Sequence, residues 1–481
     1  MSKISIVSLG CPKNLVDTDN LITVLQKEGF FLTSDEKDAD VVLVNTCGFI
    51  EAAKRESIEE ILKLRRIKDE GKKLLVFGCL AKRYGNELIR EIPEIDALWG
   101  VGEDDRIVEY CKSLAVRKES GKPANQRAKR LRTGDYRLST FPYAYLKIAE
   151  GCSRGCTYCV IPSIRGPYRS VEPAKVLRKA EEHIAGGAKE LILIAQDLGS
   201  YAREIKGYSL SSLVRDIASI SGDFWIRLLY VNPSSVNDEL MSVMANSNKV
   251  CRYLDMPLQH SEDRILKAMG RAGTKKLYAR IIRKIREAIP GIALRTTFMV
   301  GFPGETDKDF FGLRDFVEDI GFDRLGVFTY SREEGTPASK LKGHLPERTK
   351  EQRRDEIMRI QARISLEKNM ALIGKRFRAI VDEVAGDTAI ARLPSQSPEI
   401  DGVVYISEGG RRNVECALRQ AQGDNVMVSL PTGQAGLSNQ EIRNLPTGQA
   451  GPKSGIIKVG EFVDIEITGA YDYDLKGELV R

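Results

Sequence analysis

Histidine is nearly absent from these 481 residues: His183, His260 and His344 are all there are. That scarcity argues against an imidazole-rich metal site. Tryptophan is scarcer still, with two residues. Long apolar runs are missing too, since no stretch of about 18 apolar residues offers a membrane span. The opening MSKISIVSLG reads as a strand, with neither the apolar region nor the cleavage site of a signal peptide. The expected location is the cytoplasm, with no membrane partner. Disulfides are disfavoured in that reducing compartment, so nine cysteines point to metal binding or catalysis. The chain is too long for one core, and two to three domains are expected.

The first hundred residues alternate strand and helix. KISIVSLG, ADVVLVNT and KLLVFG are short apolar runs, each followed by a helix-compatible segment at 15–28, 51–69 and 81–91. This pattern predicts an open parallel α/β sheet. One cysteine follows each run directly: Cys11, Cys47 and Cys79. The carboxyl ends of parallel strands share one edge, where ligands bind. Any one of these cysteines alone reads as a small buried hydrophobe. Three at equivalent positions on successive units read as a metal site. A basic segment, VRKESGKPANQRAKRLRTGDYR, then marks a domain boundary. It reads first as a solvated linker and second as a grip for an acidic or nucleic-acid partner.

The alternation resumes with YAYLKIAEG, ELILIAQD, FWIRLLYVNP, RYLDMPLQH, IALRTTFMVGFP and RLGVFTYS. Six such runs predict a partial or full (β/α) barrel, whose catalytic groups lie at the carboxyl ends of strands. A helix at about 346–373 leads into a smaller β-rich tail. Just past the first run stands EGCSRGCTYC, with Cys152, Cys156 and Cys159. A closed zinc site or a fully ligated cluster wants four protein ligands, and no fourth Cys or His lies nearby. Three thiolates suit a 4Fe-4S cubane and leave one iron open to a small molecule, which is a catalytic arrangement. A zinc knuckle short of one ligand is the bland alternative.

CxxxCxxC in this form resembles the motif of radical S-adenosylmethionine enzymes. The resemblance implies that the open iron chelates the methionine moiety of the cofactor, whose reductive cleavage yields a 5′-deoxyadenosyl radical. It makes Tyr158 a cofactor neighbour. It also places Gly186 and Gly187 at the methionine end, followed by a strand ending in Gln196 and Asp197, and puts Gly301 of VGFPGET beside the adenosine. A glycine pair by itself is usually a helix terminator.

Three upstream cysteines, a radical-enzyme domain and a small β tail together resemble the methylthiotransferases over essentially the whole chain. The plan this implies is α/β and multidomain. It has an N-terminal open parallel sheet at 1–130, a central (β/α) radical barrel at 138–366, and a small TRAM β-barrel at 367–481. Cys11, Cys47 and Cys79 would hold a second 4Fe-4S cluster that takes part in sulfur insertion. Replacing C–H by C–SCH3 needs a radical and a sulfur source, so an electron donor and a sulfur source are implied partners. Segments such as SLGCPKNLVDTD, RLLYVNP and DMPLQHSEDRILKAMGR look like the branch that modifies an aspartate β-carbon of small-subunit ribosomal protein 12. The branches that modify tRNA adenosine are the runner-up. A non-catalytic iron–sulfur or zinc RNA-binding scaffold is the most distant reading.

Charge favours the protein substrate. Residues 377–410 carry a net −4 and residues 456–481 a net −3, within a chain of +7. An acidic tail grips phosphates poorly and suits a basic ribosomal protein. Between these pieces, at about 410–455, lies a Gly-, Gln- and Asn-rich insertion with LPTGQAG twice, read as a flexible loop. Cys416 within it reads as incidental. Cys111 and Cys251 read as buried structural thiols.

Overall fold

The computed structural model describes residues 2–119, 142–385, 388–407 and 457–480. The 410–455 insertion with Cys416 lies outside them, as does the basic segment beyond its first few residues. Internal contacts divide the chain into two units. One comprises Met1–Thr140, Glu150–Arg154 and Cys159–Arg169; the other comprises Phe141–Ala149, Gly155–Tyr158 and Ser170–Arg481.

The first unit runs β1 (Lys3–Ser8), α1 (Pro12–Lys27), β2 (Phe31–Leu32), β3 (Val41–Thr46), α2 (Glu51–Leu64), β4 (Lys73–Gly78), α3 (Cys79–Glu91), β5 (Ala97–Trp99) and α4 (Asp104–Glu119). Its strands form one parallel sheet in the order β2-β1-β3-β4-β5. All six residues of β3 are buried, as expected of a continuous apolar run covered on both faces. One core joins Leu21 and Leu25 of α1 to Ile107 and Cys111 of α4. The other joins Ile61 of α2 to Leu80 and Leu88 of α3. Cys111 is fully buried there, and burial pushes its thiol up to about 12. It is a packing residue, as its sequence context suggested.

Asp96 staples the start of β4. It accepts from Lys68 Nζ and Lys73 Nζ at 2.7 Å and from the Leu74 amide at 2.9 Å. Burial pushes its carboxyl up, but these three donors outweigh that and hold it below the usual range. A depressed pKa stabilises the fold above the unfolded value, about 3.9, and the gain is lost as pH falls through the folded value. Asp96→Asn is therefore expected to cost about 1–3 kcal/mol at neutral pH. In urea melts the gap from the unmodified chain should close at pH below about 4.

Short elements flank the cysteine loop: β7 (Ala149–Glu150), α5 (Ile161–Arg165) and β8 (Arg169–Ser170) follow β6 (Tyr143–Lys147). The second unit continues with α6 (Pro173–Ala185), β9 (Glu190–Ile194), α7 (Leu210–Ser219), β10 (Trp225–Leu228), α8 (Asp238–Asn246), β11 (Val250–Asp255), α9 (Asp263–Ala268), α10 (Lys275–Ala288), β12 (Ala293–Val300), α11 (Asp307–Ile320), β13 (Arg324–Thr329) and α12 (Glu347–Met370). Six parallel strands lie in the order β13-β12-β11-β10-β9-β6, and the two edge strands do not pair with each other. Of the two barrel forms expected, this is the partial one. Cys251 on β11 is 3% exposed, and burial pushes it up to about 12, again a packing thiol.

The tail is a closed barrel of β14 (Arg376–Ala385), β15 (Thr388–Arg392), β16 (Val404–Ser407), β17 (Phe462–Ala470) and β18 (Leu475–Leu479), in the order β14-β15-β16-β18-β17. Alternate residues fill it, among them Ala379 and Val381, Ala389 and Ala391, Ile465 and Ile467, as the two-residue period of a strand requires.

The expected acidic face needs correction. Asp382 is buried against Arg392, at 2.9 Å from Nη2. Glu399 accepts from Tyr143 and Tyr145 hydroxyls at 2.7 and 3.0 Å. Asp401 accepts from the Tyr253 hydroxyl at 2.7 Å, and Asp474 accepts from the Val403 amide at 2.8 Å. These carboxylates serve the fold. Glu461, Asp464, Asp472 and Glu478 are the exposed acids among the described tail residues.

Candidate active site

Cys11, Cys47 and Cys79 follow β1, β3 and β4, which are adjacent strands, so the topology brings them to one sheet edge. Cys11 is the N-cap of α1, and Cys79 is the first residue of α3. Helix amino termini present free N–H groups and a positive dipole end, which favour thiolates and anionic groups. Burial pushes the Cys47 thiol up to about 12, reinforced by Cys11 and then Cys79. Cys79 is pushed up by burial to about 11 while the Arg165 charge pulls it down. Gly10 has φ +90°, and a Cβ there would sit 2.6 Å from Cys47 Cβ and 3.1 Å from its Sγ. Only glycine leaves that approach open.

A polar frame surrounds the triad. Asn14 Nδ2 donates to Leu9 and Thr46 carbonyls at 3.0 and 3.1 Å. This turns its Oδ1 towards Cys79 Sγ, 3.6 Å away. Ser57 Oγ accepts from the Cys47 amide at 3.0 Å and donates back to its carbonyl at 3.1 Å. Among the described residues no three His, Cys, Asp or Glu side chains are grouped to hold a single metal ion. Three soft sulfur donors in a tight polar frame, two of them at helix starts, fit an iron–sulfur group in donor chemistry.

Cys152, Cys156 and Cys159 are half-buried in a loop without regular structure. In the first unit, the Cys152 amide donates to Gly166 O at 3.1 Å. In the second, Thr157 donates through its amide to Met269 O at 3.0 Å and through Oγ1 to Ala268 O at 2.8 Å. Tyr158 packs on Ile265, Met269, Phe302, Tyr330 and Ala338. Arg271 Nη1 lies 4.0 Å from Cys156 Sγ, with Nη2 on Pro257 O at 2.6 Å. A half-exposed loop that carries three thiols within eight residues fits a cluster bound at three corners.

Gln196 and Asp197 follow β9 at the carboxyl edge of the second sheet, and Asp197 accepts from Ser200 Oγ at 2.6 Å. Gly301 follows β12 at the same edge, its amide donating to Glu305 at 2.8 Å. The glycine pair does not join them. Gly186 is the C-cap of α6, and Gly187, at φ +94°, turns the chain into the amino end of β9. The pair therefore stands at the opposite edge of the sheet, and the helix-terminator reading of it prevails.

The sequence reading missed Asn14, Ser57 and Tyr230. Tyr230 has φ +63° two residues past the end of β10, a strained conformation for a bulky residue of the kind found at functional sites. Asp255 accepts from its amide at 3.0 Å and holds it there. No local signal marks it, because tyrosine has no preference for that region.

Three family models match in succession: uncharacterized protein family UPF0004 at residues 3–100, the radical SAM superfamily at 146–317, and the TRAM domain at 373–431. Full-length relatives decide the family. The chain is 46% identical over 480 residues to a ribosomal protein uS12 methylthiotransferase RimO from Thermodesulfovibrio yellowstonii, covering 100% of both chains. It is 42% identical to one from Geobacter sulfurreducens, covering 99% and 98%. The chain belongs to the ribosomal protein uS12 methylthiotransferase RimO family. It is a radical SAM methylthiotransferase. In fold the chain is similar to the radical S-adenosylmethionine methyltransferase TsrM from Kitasatospora setae. That structure matches with TM-score 0.52 and 18% identity over 70% of this chain and 77% of that one. No described helix is long and apolar enough to cross a membrane.

Proposed function

We propose that this methylthiotransferase acts in the cytoplasm on small-subunit ribosomal protein uS12, at the β-carbon of an aspartate. Cys152, Cys156 and Cys159 hold a 4Fe-4S cluster with one open iron, and Cys11, Cys47 and Cys79 hold a second. Bound there, the clusters and S-adenosylmethionine supply radical and sulfur chemistry, fed by an electron donor and a sulfur source. Tyr158 wedges the loop onto the core at Met269 and Phe302, while Gln196, Asp197 and Gly301 line the strand ends where the cofactor sits. The division at 1–130, 138–366 and 367–481 belongs to the same reading. What carries it is the placement of two cysteine triads, one past the carboxyl ends of three adjacent parallel strands and the other on the loop that follows β6 and β7, on the side where α/β folds put their chemistry.

The exposed acids Glu461, Asp464 and Glu478 attract a basic substrate, an attraction screened beyond about 8–10 Å at physiological salt. The test offers purified enzyme uS12 and undermodified tRNA in one reaction. A methylthio mass gain on the aspartate peptide of uS12 is expected. The gain on adenosine, with uS12 untouched, would hand the case to tRNA modification. Reversing Glu461, Asp464 and Glu478 to Lys should lower uS12 modification several-fold at low salt, with a smaller loss at high salt. Asp382 is left out because its reversal would break the barrel.

A further inference from the structure

Arg165 is a buried cation with no role so far. Its side chain is 2% exposed, and it closes the stretch Ile161–Arg165 that follows the CxxxCxxC loop. Val160 and Ile164 of that stretch pack on Cys79 within the first unit. The guanidinium fork is fully engaged on two sides. Nη2 donates to Asn14 Oδ1 at 2.6 Å and lies 3.0 Å from Asp17 Oδ2, while Nη1 lies 3.0 Å from Glu150 Oε1. Asn14 Oδ1 is the atom that also accepts from Cys79 Sγ. Glu150 stands two residues before Cys152.

Burying a guanidinium costs several kcal/mol unless anions compensate. Burial pulls the Arg165 pKa down, yet Cys79, Asp17, Glu150 and Cys11, in that order, push it above its ordinary value. Two of those four partners are cysteines of the upstream triad. Asp17 and Glu150 alone would form an ordinary ion-pair cluster on the unit's surface. Instead the cation is drawn inward to the edge where three thiols meet, and a shared carboxamide joins it to one of them. Charge beside a cluster and hydrogen bonds around its sulfurs set its reduction potential. A fixed cation favours the more negative reduced state and so raises that potential.

We propose that Arg165 is a positioning residue that raises the reduction potential of the group held by Cys11, Cys47 and Cys79 and ties that site, through Glu150, to the segment entering Cys152. This rests on the reading that the upstream triad holds a cluster. A lysine would keep the charge but lose the planar fork that serves Asn14, Asp17 and Glu150 together.

The test uses the chain with Cys152, Cys156 and Cys159 replaced by Ala, so that only the upstream group is loaded. Iron per chain is measured first, then the midpoint potential by redox titration followed by electron paramagnetic resonance. Arg165→Gln is expected to shift the midpoint downward, Arg165→Lys to recover most of the shift, and Asp17→Asn, which removes an anion, to shift it upward. Unchanged potentials in Arg165→Gln and Asp17→Asn, with iron retained, would overturn the proposal. Should Arg165→Gln fail to fold, Asp17→Asn alone decides by the sign of its shift. A parent chain without iron would instead bring down the cluster reading, and this inference with it.

Discussion

A chain with Cys11, Cys47 and Cys79 all replaced by alanine is expected to go on cleaving S-adenosylmethionine under reducing conditions while making no methylthiolated uS12. Part of the support of the loop with the other three cysteines is independent of the upstream triad: Thr157 is held by Ala268 and Met269, and Tyr158 by Phe302 and Tyr330. Where Val160 and Ile164 pack on Cys79, the change to alanine removes only the sulfur atom. Reconstituted protein should carry about eight iron atoms from two 4Fe-4S groups, and either triple variant about half that. The alanines remove three buried or half-buried thiols whose loss opens small cavities, a cost of about 1 kcal/mol each, so the fold should survive. Methylthio product from this variant, or a complete loss of cofactor cleavage, would contradict separate roles for the two triads.

The second large effect is on stability. Glu190, Arg227 and Arg392 are 0–1% exposed and share charges across the second unit: Arg227 Nε lies 2.5 Å and Arg392 Nη1 2.7 Å from the Glu190 carboxylate. Arg392 belongs to the small barrel and Glu190 to the parallel sheet, and Arg227 also donates to Pro394 O at 2.8 Å. Replacing a whole buried network with apolar groups is often harmless, whereas removing one member strands a desolvated charge. Glu190→Gln leaves two guanidiniums facing each other and is expected to cost about 3–5 kcal/mol. Arg392→Met should cost a similar amount by stranding Asp382 and half of Glu190. Calorimetry of the single variants and of the Glu190→Gln/Arg392→Met pair measures it. The double variant should lose less than the sum of the singles, because each has already lost part of the shared interaction. Losses under about 1 kcal/mol for both singles would show that water reaches the network.

Local pattern was enough to place much of this protein. VVLVNT is a continuous apolar run because β3 is covered on both faces, and the six later runs all became strands of one parallel sheet. Short spacing also put Cys152, Cys156 and Cys159 on one loop. Cys11, Cys47 and Cys79 were legible because each ends a strand, and parallel strands end at one edge. Chain order already put Gly186 and Gly187 before the strand of ELILIAQD, and the parallel sheet makes that the edge opposite Gln196 and Asp197. Tertiary structure alone decided that Asp382, Glu399, Asp401 and Asp474 turn inward. A charge count treats every carboxylate as solvated, whereas a half-buried one is set by partners up to 256 residues away, as with Tyr143 and Glu399. Arg165 and Tyr230 were illegible for the same reason. The burial of one and the backbone strain of the other are imposed by neighbours distant in sequence, and no residue beside them in the chain records it.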